Sequence, residues 1–301
     1  MTNTSIRRND CTRGEIDVAY LEAGDAGAPL ALCLHGFPDH AWTFEALLPE
    51  LADAGFHAVA PWLRGYAPTS IPDSGVYELP ILARDALELV DALAGDKPAT
   101  LIGHDWGGAI VYAFCALWPD RVRRAVAMAI PHVNAMAPAL LTNYEQQKRS
   151  FYMFLFQLEG LAEQVVGFND LAFVENLISD WSPNWKRTEL DHDRLVESIG
   201  SPANMAAALG YYRQMINPNA RKTIDDPQID SLRMRASGLI STPTLQIMGA
   251  DDGCIDPAVI GDQKHYFAGD YDYRLVAGVG HFMLQDDADA VIPLIVDWLG
   301  R

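Results

Sequence analysis

A chain of 301 residues is long enough for one large domain, or for a core that carries an insertion. Half of it is hydrophobic and 21% is charged, which is ordinary for a folded globular protein and excludes long disordered tracts. The formal charge of −18 repels polyanions, so nucleic acid and anionic membrane surfaces are excluded as expected partners.

The predicted elements alternate short apolar runs with helical patterns, the rhythm of βαβ units on a mostly parallel sheet. Ile16 to Leu21 reads as an early edge strand, and Pro29 to Leu34 as a buried strand ending at His35-Gly36-Phe37-Pro38. A helix from Trp42 to Ala54 places Phe44, Leu47, Leu48 and Leu51 on one face and stops at Gly55. Phe56 to Pro61 is the next strand, followed by the loop Arg64 to Thr69 and a helix from about Pro80 to Ala94. A short strand, Ala99 to Ile102, runs straight into Gly103-His104-Asp105-Trp106-Gly107-Gly108. The helix after it, Ala109 to Leu117, is apolar almost all round and should be buried. Val122 to Ile130 is a further strand.

The rhythm breaks at Pro131. From His132 to about Ile224 the pattern is helical and rich in aromatics, before strands return at Pro243 to Met248 and Tyr273 to Val276. A last helix spans Ala288 to Leu299. The expected organisation is therefore a core of residues 1–131 and 225–301, with a helical cap of residues 132–224. Cys11, Cys33, Cys115 and Cys254 are scattered, as expected of reduced thiols packing as small hydrophobes. No apolar run follows Arg7 and Arg8, and no stretch of roughly 18 uncharged apolar residues occurs. Neither a signal peptide nor a membrane span is expected, and a cytoplasmic location follows by default.

A strand, a tight Gly-x-Asp-x-Gly-Gly turn and a buried helix make a nucleophile elbow. The reactive side chain must project from a sharp turn, so its neighbours must be small enough for strand and helix to approach. A nucleophile needs a base, and the base an orienter. Gly249-Ala250-Asp251-Asp252 follows one late strand and Gly280-His281-Phe282 follows the last. The order Asp105, Asp252, His281 results, each at a strand end, where open α/β sheets place their sites. Asp251 and Asp256 are rivals to Asp252.

With these residues in view, the whole chain resembles the α/β-hydrolase-fold epoxide hydrolases of the soluble, microsomal and bacterial type. His35-Gly36-Phe37-Pro38 is similar to that family's HGxP loop, Gly65 to Thr69 to its G-x-small-x-Ser/Thr motif, and Gly103 to Gly108 to its elbow. The resemblance implies an α/β-hydrolase fold with an inserted cap. It also implies an oxyanion hole from the backbone N–H groups of Phe37 and Trp106, and a cis bond between Phe37 and Pro38.

The nucleophile's identity then bears on the reaction class, because the fold alone serves many chemistries. A serine attacking a saturated carbon would form an ether that water cannot open. An aspartate forms an alkyl ester, which water activated by His281 can cleave at the Asp105 carbonyl. An epoxide oxygen leaving as an alkoxide needs a proton donor, and the resemblance implies two cap tyrosines in that role. Tyr152 and Tyr212 are the candidates, with Tyr211 the fallback and a possible lining residue. Phe37, Trp106, Phe151, Phe154 and Phe156 are expected to line an apolar pocket, so an apolar epoxide and water are the expected small-molecule partners. No metal or organic cofactor is expected. Trp106 keeps haloalkane dehalogenase open as an alternative, although Phe37 stands where those enzymes commonly carry asparagine. A non-catalytic ligand-binding protein of this fold is a third reading.

Overall fold

The computed structural model describes residues 4–261 and 263–300. Its sheet has eight strands: β1 (Arg7–Arg13), β2 (Ile16–Ala23), β3 (Leu30–Leu34), β4 (His57–Pro61), β5 (Ala99–His104), β6 (Val122–Met128), β7 (Thr244–Gly249) and β8 (Tyr271–Val276). Their order across the sheet is β1-β2-β4-β3-β5-β6-β7-β8. β2 pairs antiparallel with β1 and β4, and every other pairing is parallel. β3, β4 and β5 are buried along their whole length, as expected of strands covered on both faces.

The core helices are α1 (Leu47–Asp53), α2 (Leu79–Ala94) and α3 (Trp106–Leu117). An all-helical stretch follows β6: α4 (Val133–Thr142), α5 (Tyr144–Arg149), α6 (Phe151–Leu155), α7 (Leu161–Gly167), α8 (Ala172–Trp181), α9 (Glu189–Ile199) and α10 (Pro202–Ile216). The chain then returns through α11 (Ile229–Arg235) to β7, and ends with α12 (Pro257–Ile260), α13 (Met283–Asp286) and α14 (Ala288–Leu299). α3 lies against the middle of the sheet, and its Ile110, Val111, Phe114 and Leu117 are almost entirely removed from water. Burial stabilises by roughly 1.5–3 kcal/mol for each large apolar side chain, so this helix anchors the turn that precedes it.

Two expectations change. β2 is not an edge strand, because β1 covers it in the register Arg7↔Glu22 to Arg13↔Ile16. β1 reads Arg-Arg-Asn-Asp-Cys-Thr-Arg, and its polar sequence hides it; its charges suit a sheet edge, and Arg7 and Asn9 both donate to Glu22. The helix expected over 42–54 is broken into a 3₁₀ turn (Ala41–Phe44) and α1. The other core elements lie within a few residues of their expected bounds, and α14 matches them. Among the described residues no helix is long and apolar enough to cross a membrane.

Candidate active site

The centre of the site is the elbow between β5 and α3. Asp105 has φ 52 and ψ −118, a left-handed backbone that a non-glycine residue adopts only under constraint. The constraint is tight packing around it. A Cβ at Gly103 would stand 2.2 Å from the Gly107 carbonyl oxygen, and one at Gly107 would stand 1.9 Å from that of Leu34. Only hydrogen fits at either place, so strand and helix close on each other and Asp105 is pushed out at the apex.

Asp105 is 5% exposed. Its Oδ1 accepts the Phe37 N–H at 2.8 Å, and its Oδ2 lies 3.7 Å from His281 Nε2. The second implied donor, the Trp106 N–H, opens α3 and so has no partner within the helix. The Phe37–Pro38 bond is cis, and so is Ala67–Pro68. His35 supports its own loop: its Nδ1 meets the Gly36 carbonyl at 2.9 Å while Nε2 accepts the Leu63 N–H at 3.0 Å. Burial lowers its pKa to about 4, consistent with the neutral ring this geometry requires.

His281 Nδ1 stands 3.0 Å from Asp252 Oδ2, and the other Asp252 oxygen accepts the N–H groups of Cys254 at 2.7 Å and Ile255 at 2.8 Å. The rivals are elsewhere: Asp251 is exposed and bonded to Asn184, and Asp256 caps α12. Burial opposes the charged form of His281, but the Asp252 carboxylate, together with Asp105, overrides it and raises the pKa to about 10. Asp105 shifts the other way. Burial pushes it up, and His281 and the Phe37 N–H more than reverse that.

Cap aromatics close the space over Asp105. Tyr152 and Tyr212 lie 5.6 Å apart edge to face, and Tyr212 is 5.3 Å from both Phe37 and Trp106. Phe156 packs against Phe37, Tyr152 and Tyr212. The Tyr152 hydroxyl has a weak neighbour, Cys254 Sγ at 3.5 Å, whereas the buried Tyr212 hydroxyl has no acceptor among the described residues; the Trp106 indole, a donor only, is its polar neighbour. Burial first, then neighbouring groups including Asp105, pushes both phenols well above their usual range, so both remain protonated.

Three expected lining residues stand differently. Tyr211 donates its hydroxyl to the Arg64 carbonyl at 2.8 Å and packs between Tyr66, Tyr77 and Trp106, which commits it to the core. Phe151 and Phe154 are each 47% exposed. Residues 152 and 156 share one face of a helix, and 151 and 154 share another; the first pair turns inward and the second outward.

Sequence reasoning missed the groups that join the cap to the loop carrying Asp252, and a carboxylate beside the elbow. The α5 residues Gln146 and Arg149 donate to the carbonyls of Cys254 and Asp252. Asp39, directly after Pro38, is a buried carboxylate whose pKa burial pushes up to about 7; its Oδ2 is 3.9 Å from His104 Nδ1. Its position beside the HGxP residues was the one available signal.

Comparison with known proteins follows the same lines. Residues 29–288 match the alpha/beta hydrolase fold family. Epoxide hydrolase 4 of Homo sapiens is 27% identical over 286 residues, covering 93% of this chain and 75% of the relative. Epoxide hydrolase A of Mycobacterium tuberculosis is 26% identical over 314 residues, covering 94% of each. The crystal structure of the Bacillus megaterium epoxide hydrolase in complex with an inhibitor superposes with a TM-score of 0.82 at 23% identity, covering 97% of this chain and all of that one, a likeness of fold.

Proposed function

This chain belongs to the alpha/beta hydrolase fold family, and we propose that within it the protein is an epoxide hydrolase working through an alkyl ester on Asp105. The observation that carries this reading is a buried aspartate at the elbow, capped by two buried tyrosines that have no strong acceptor for their protons among the described residues. The relatives named epoxide hydrolase support it. The four cysteines are free thiols, the state that a reducing cytoplasm maintains, and we assign the enzyme to that compartment.

In the first step Asp105 Oδ2 attacks a ring carbon while Tyr152 and Tyr212 donate to the epoxide oxygen. The C–O bond breaks, the oxygen takes a proton from a tyrosine, and a hydroxyalkyl ester forms. Oδ1, already held by the Phe37 N–H, becomes the ester carbonyl oxygen. In the second step His281, oriented by Asp252, removes a proton from water. The hydroxide adds to the Asp105 carbonyl carbon, and the N–H groups of Phe37 and Trp106 hold the resulting oxyanion. Collapse breaks the ester C–O bond; the leaving alkoxide takes the proton held by His281 and departs as the diol, and the proton left on the Asp105 acid returns to the tyrosinate, restoring carboxylate and phenol. Phe37, Trp106 and Phe156 supply apolar walls, which favours an apolar epoxide.

Trp106, directly after the nucleophile, keeps haloalkane dehalogenation as the second reading. Matched apolar epoxides and haloalkanes, scored for diol and free halide, separate the two. The expected result is diol without halide, together with a mass adduct on the Asp105 peptide in His281→Gln. Halide release at comparable rates, or no adduct although substrate binds, would overturn the proposal.

A further inference from the structure

α8 ends between the two loops that carry Asp252 and His281. Its last carbonyl, that of Trp181, accepts the His281 N–H at 2.9 Å and the Gly253 N–H at 3.1 Å. The next residue, Ser182, accepts the Phe282 N–H on its Oγ at 2.7 Å. One helix end thus holds the residue after the candidate acid, the candidate base itself and the residue after the base. The approach is close enough to demand glycine on both loops. A Cβ at Gly253 would stand 2.0 Å from the Asp180 carbonyl oxygen, and one at Gly280 would stand 2.7 Å from the Trp181 carbonyl oxygen and from Ser182 Cα. The Trp181 ring adds contacts to His281 at 5.4 Å and to Tyr152 at 4.8 Å.

Resting on the two-step reaction proposed above, we infer that the C-terminal end of α8 sets the spacing of Asp252 and His281, and that Ser182 is a positioning residue for the water-activating base. Ser182 is buried, so its hydroxyl is the partner that the Phe282 N–H has in place of water. Without it that donor is orphaned, and the loop must move to find another acceptor. His281 lies next in the chain and moves with it. This end of the cap stays docked through the cycle, because lifting it would dismantle the base. The two chemical steps depend on this unequally: Asp105 opens the ring without help from His281, whereas ester hydrolysis requires it.

The test is single-turnover kinetics with an apolar epoxide on the parent, Ser182→Ala, Ser182→Thr and His281→Gln, following ester formation and ester hydrolysis separately. The expected result for Ser182→Ala is ester formation within about twofold of the parent and hydrolysis slowed about tenfold, matching the loss of one buried hydrogen bond. The ester then accumulates at steady state, and Ser182→Thr, which keeps the acceptor, restores turnover. Equal loss in both steps, or unchanged hydrolysis, overturns the inference. If Ser182→Ala does not fold, Ser182→Cys, with its weaker acceptor, must show the same split in smaller measure; unchanged hydrolysis there is equally fatal. An ester trapped in His281→Gln with unimpaired hydrolysis in Ser182→Ala sinks the positioning role alone. No ester in either variant sinks the two-step reaction itself.

Discussion

Burial alone would strip the proton from His281, but Asp252 at 3.0 Å and Asp105 at 3.7 Å hold it there, with a pKa of about 10. A charged imidazole is a poor base, so the resting state is the wrong one for activating water. In the proposed reaction the first step corrects this. Esterification removes the Asp105 charge, and two unit charges about 4 Å apart interact by about 4 kcal/mol at an effective dielectric near 20. That is close to three pKa units, enough to return His281 toward the neutral range once a substrate is attached and not before. The expected outcome is an ester hydrolysis rate that rises with pH through neutrality and is level well before pH 10. Stopped-flow single turnovers across pH would show it. A hydrolysis rate that keeps climbing to that value would mean that His281 stays charged in the intermediate.

At the scale of elements, α8 is fixed at its far end by a different device. Asn169, Asp170 and Leu171, which lead into it, all have left-handed φ (49°, 56° and 62°), which asparagine and aspartate tolerate but which costs Leu171 roughly 1–2 kcal/mol. From α9, His192 reaches back, its Nδ1 to Glu175 at 2.8 Å and its Nε2 to Asp170 at 2.9 Å, while Arg187 shares the same Glu175 oxygen. Two acceptors on two ring nitrogens require the imidazolium, and these hydrogen bonds, Glu175 first, raise the pKa of His192. With a folded value above the unfolded one, the stabilisation is complete below the ordinary histidine pKa of about 6.5 and lost as pH rises through the raised value. His192→Gln is expected to lower Tm at about pH 5.5, with the gap narrowing as pH rises through the raised value. A gap independent of pH would show a packing role instead. None of this is legible in the sequence, because Asp170, Glu175 and His192 carry no local pattern and meet only through tertiary packing. What was legible is what chemistry forces into short spans. The elbow glycines, the HGxP loop and a last-strand histidine each answer a local steric or directional need, and the structure brings these segments together at the candidate site. β1 escaped because pairing, not hydropathy, makes it a strand. Phe151 and Phe154 were misread because aromatic content was counted without the helical face. Ser182 was invisible because its partner, the Phe282 N–H, lies 100 residues away.

For the whole molecule the unexplained quantity is the charge of −18. A field of that sign acts on anything charged that approaches. The proposed reaction, by contrast, takes place beneath Tyr152, Phe156 and Tyr212, where an apolar substrate carries no charge for the field to act on. The charge therefore acts on encounter, and it discriminates between substrates that the aromatic walls would otherwise admit alike. A carboxylate-bearing epoxide should meet a repulsive approach that a neutral one of the same shape does not. Salt shortens the range of that repulsion, with a screening length of about 30 Å at 0.01 M and about 10 Å at 0.1 M. We expect kcat/KM for the anionic epoxide to rise severalfold as sodium chloride is raised through this range, while that of the neutral analogue stays flat. The ratio of the two removes any general effect of salt on the enzyme. If both constants respond alike, or if neither does, then the charge does not govern encounter and must be accounted for in the folded state itself.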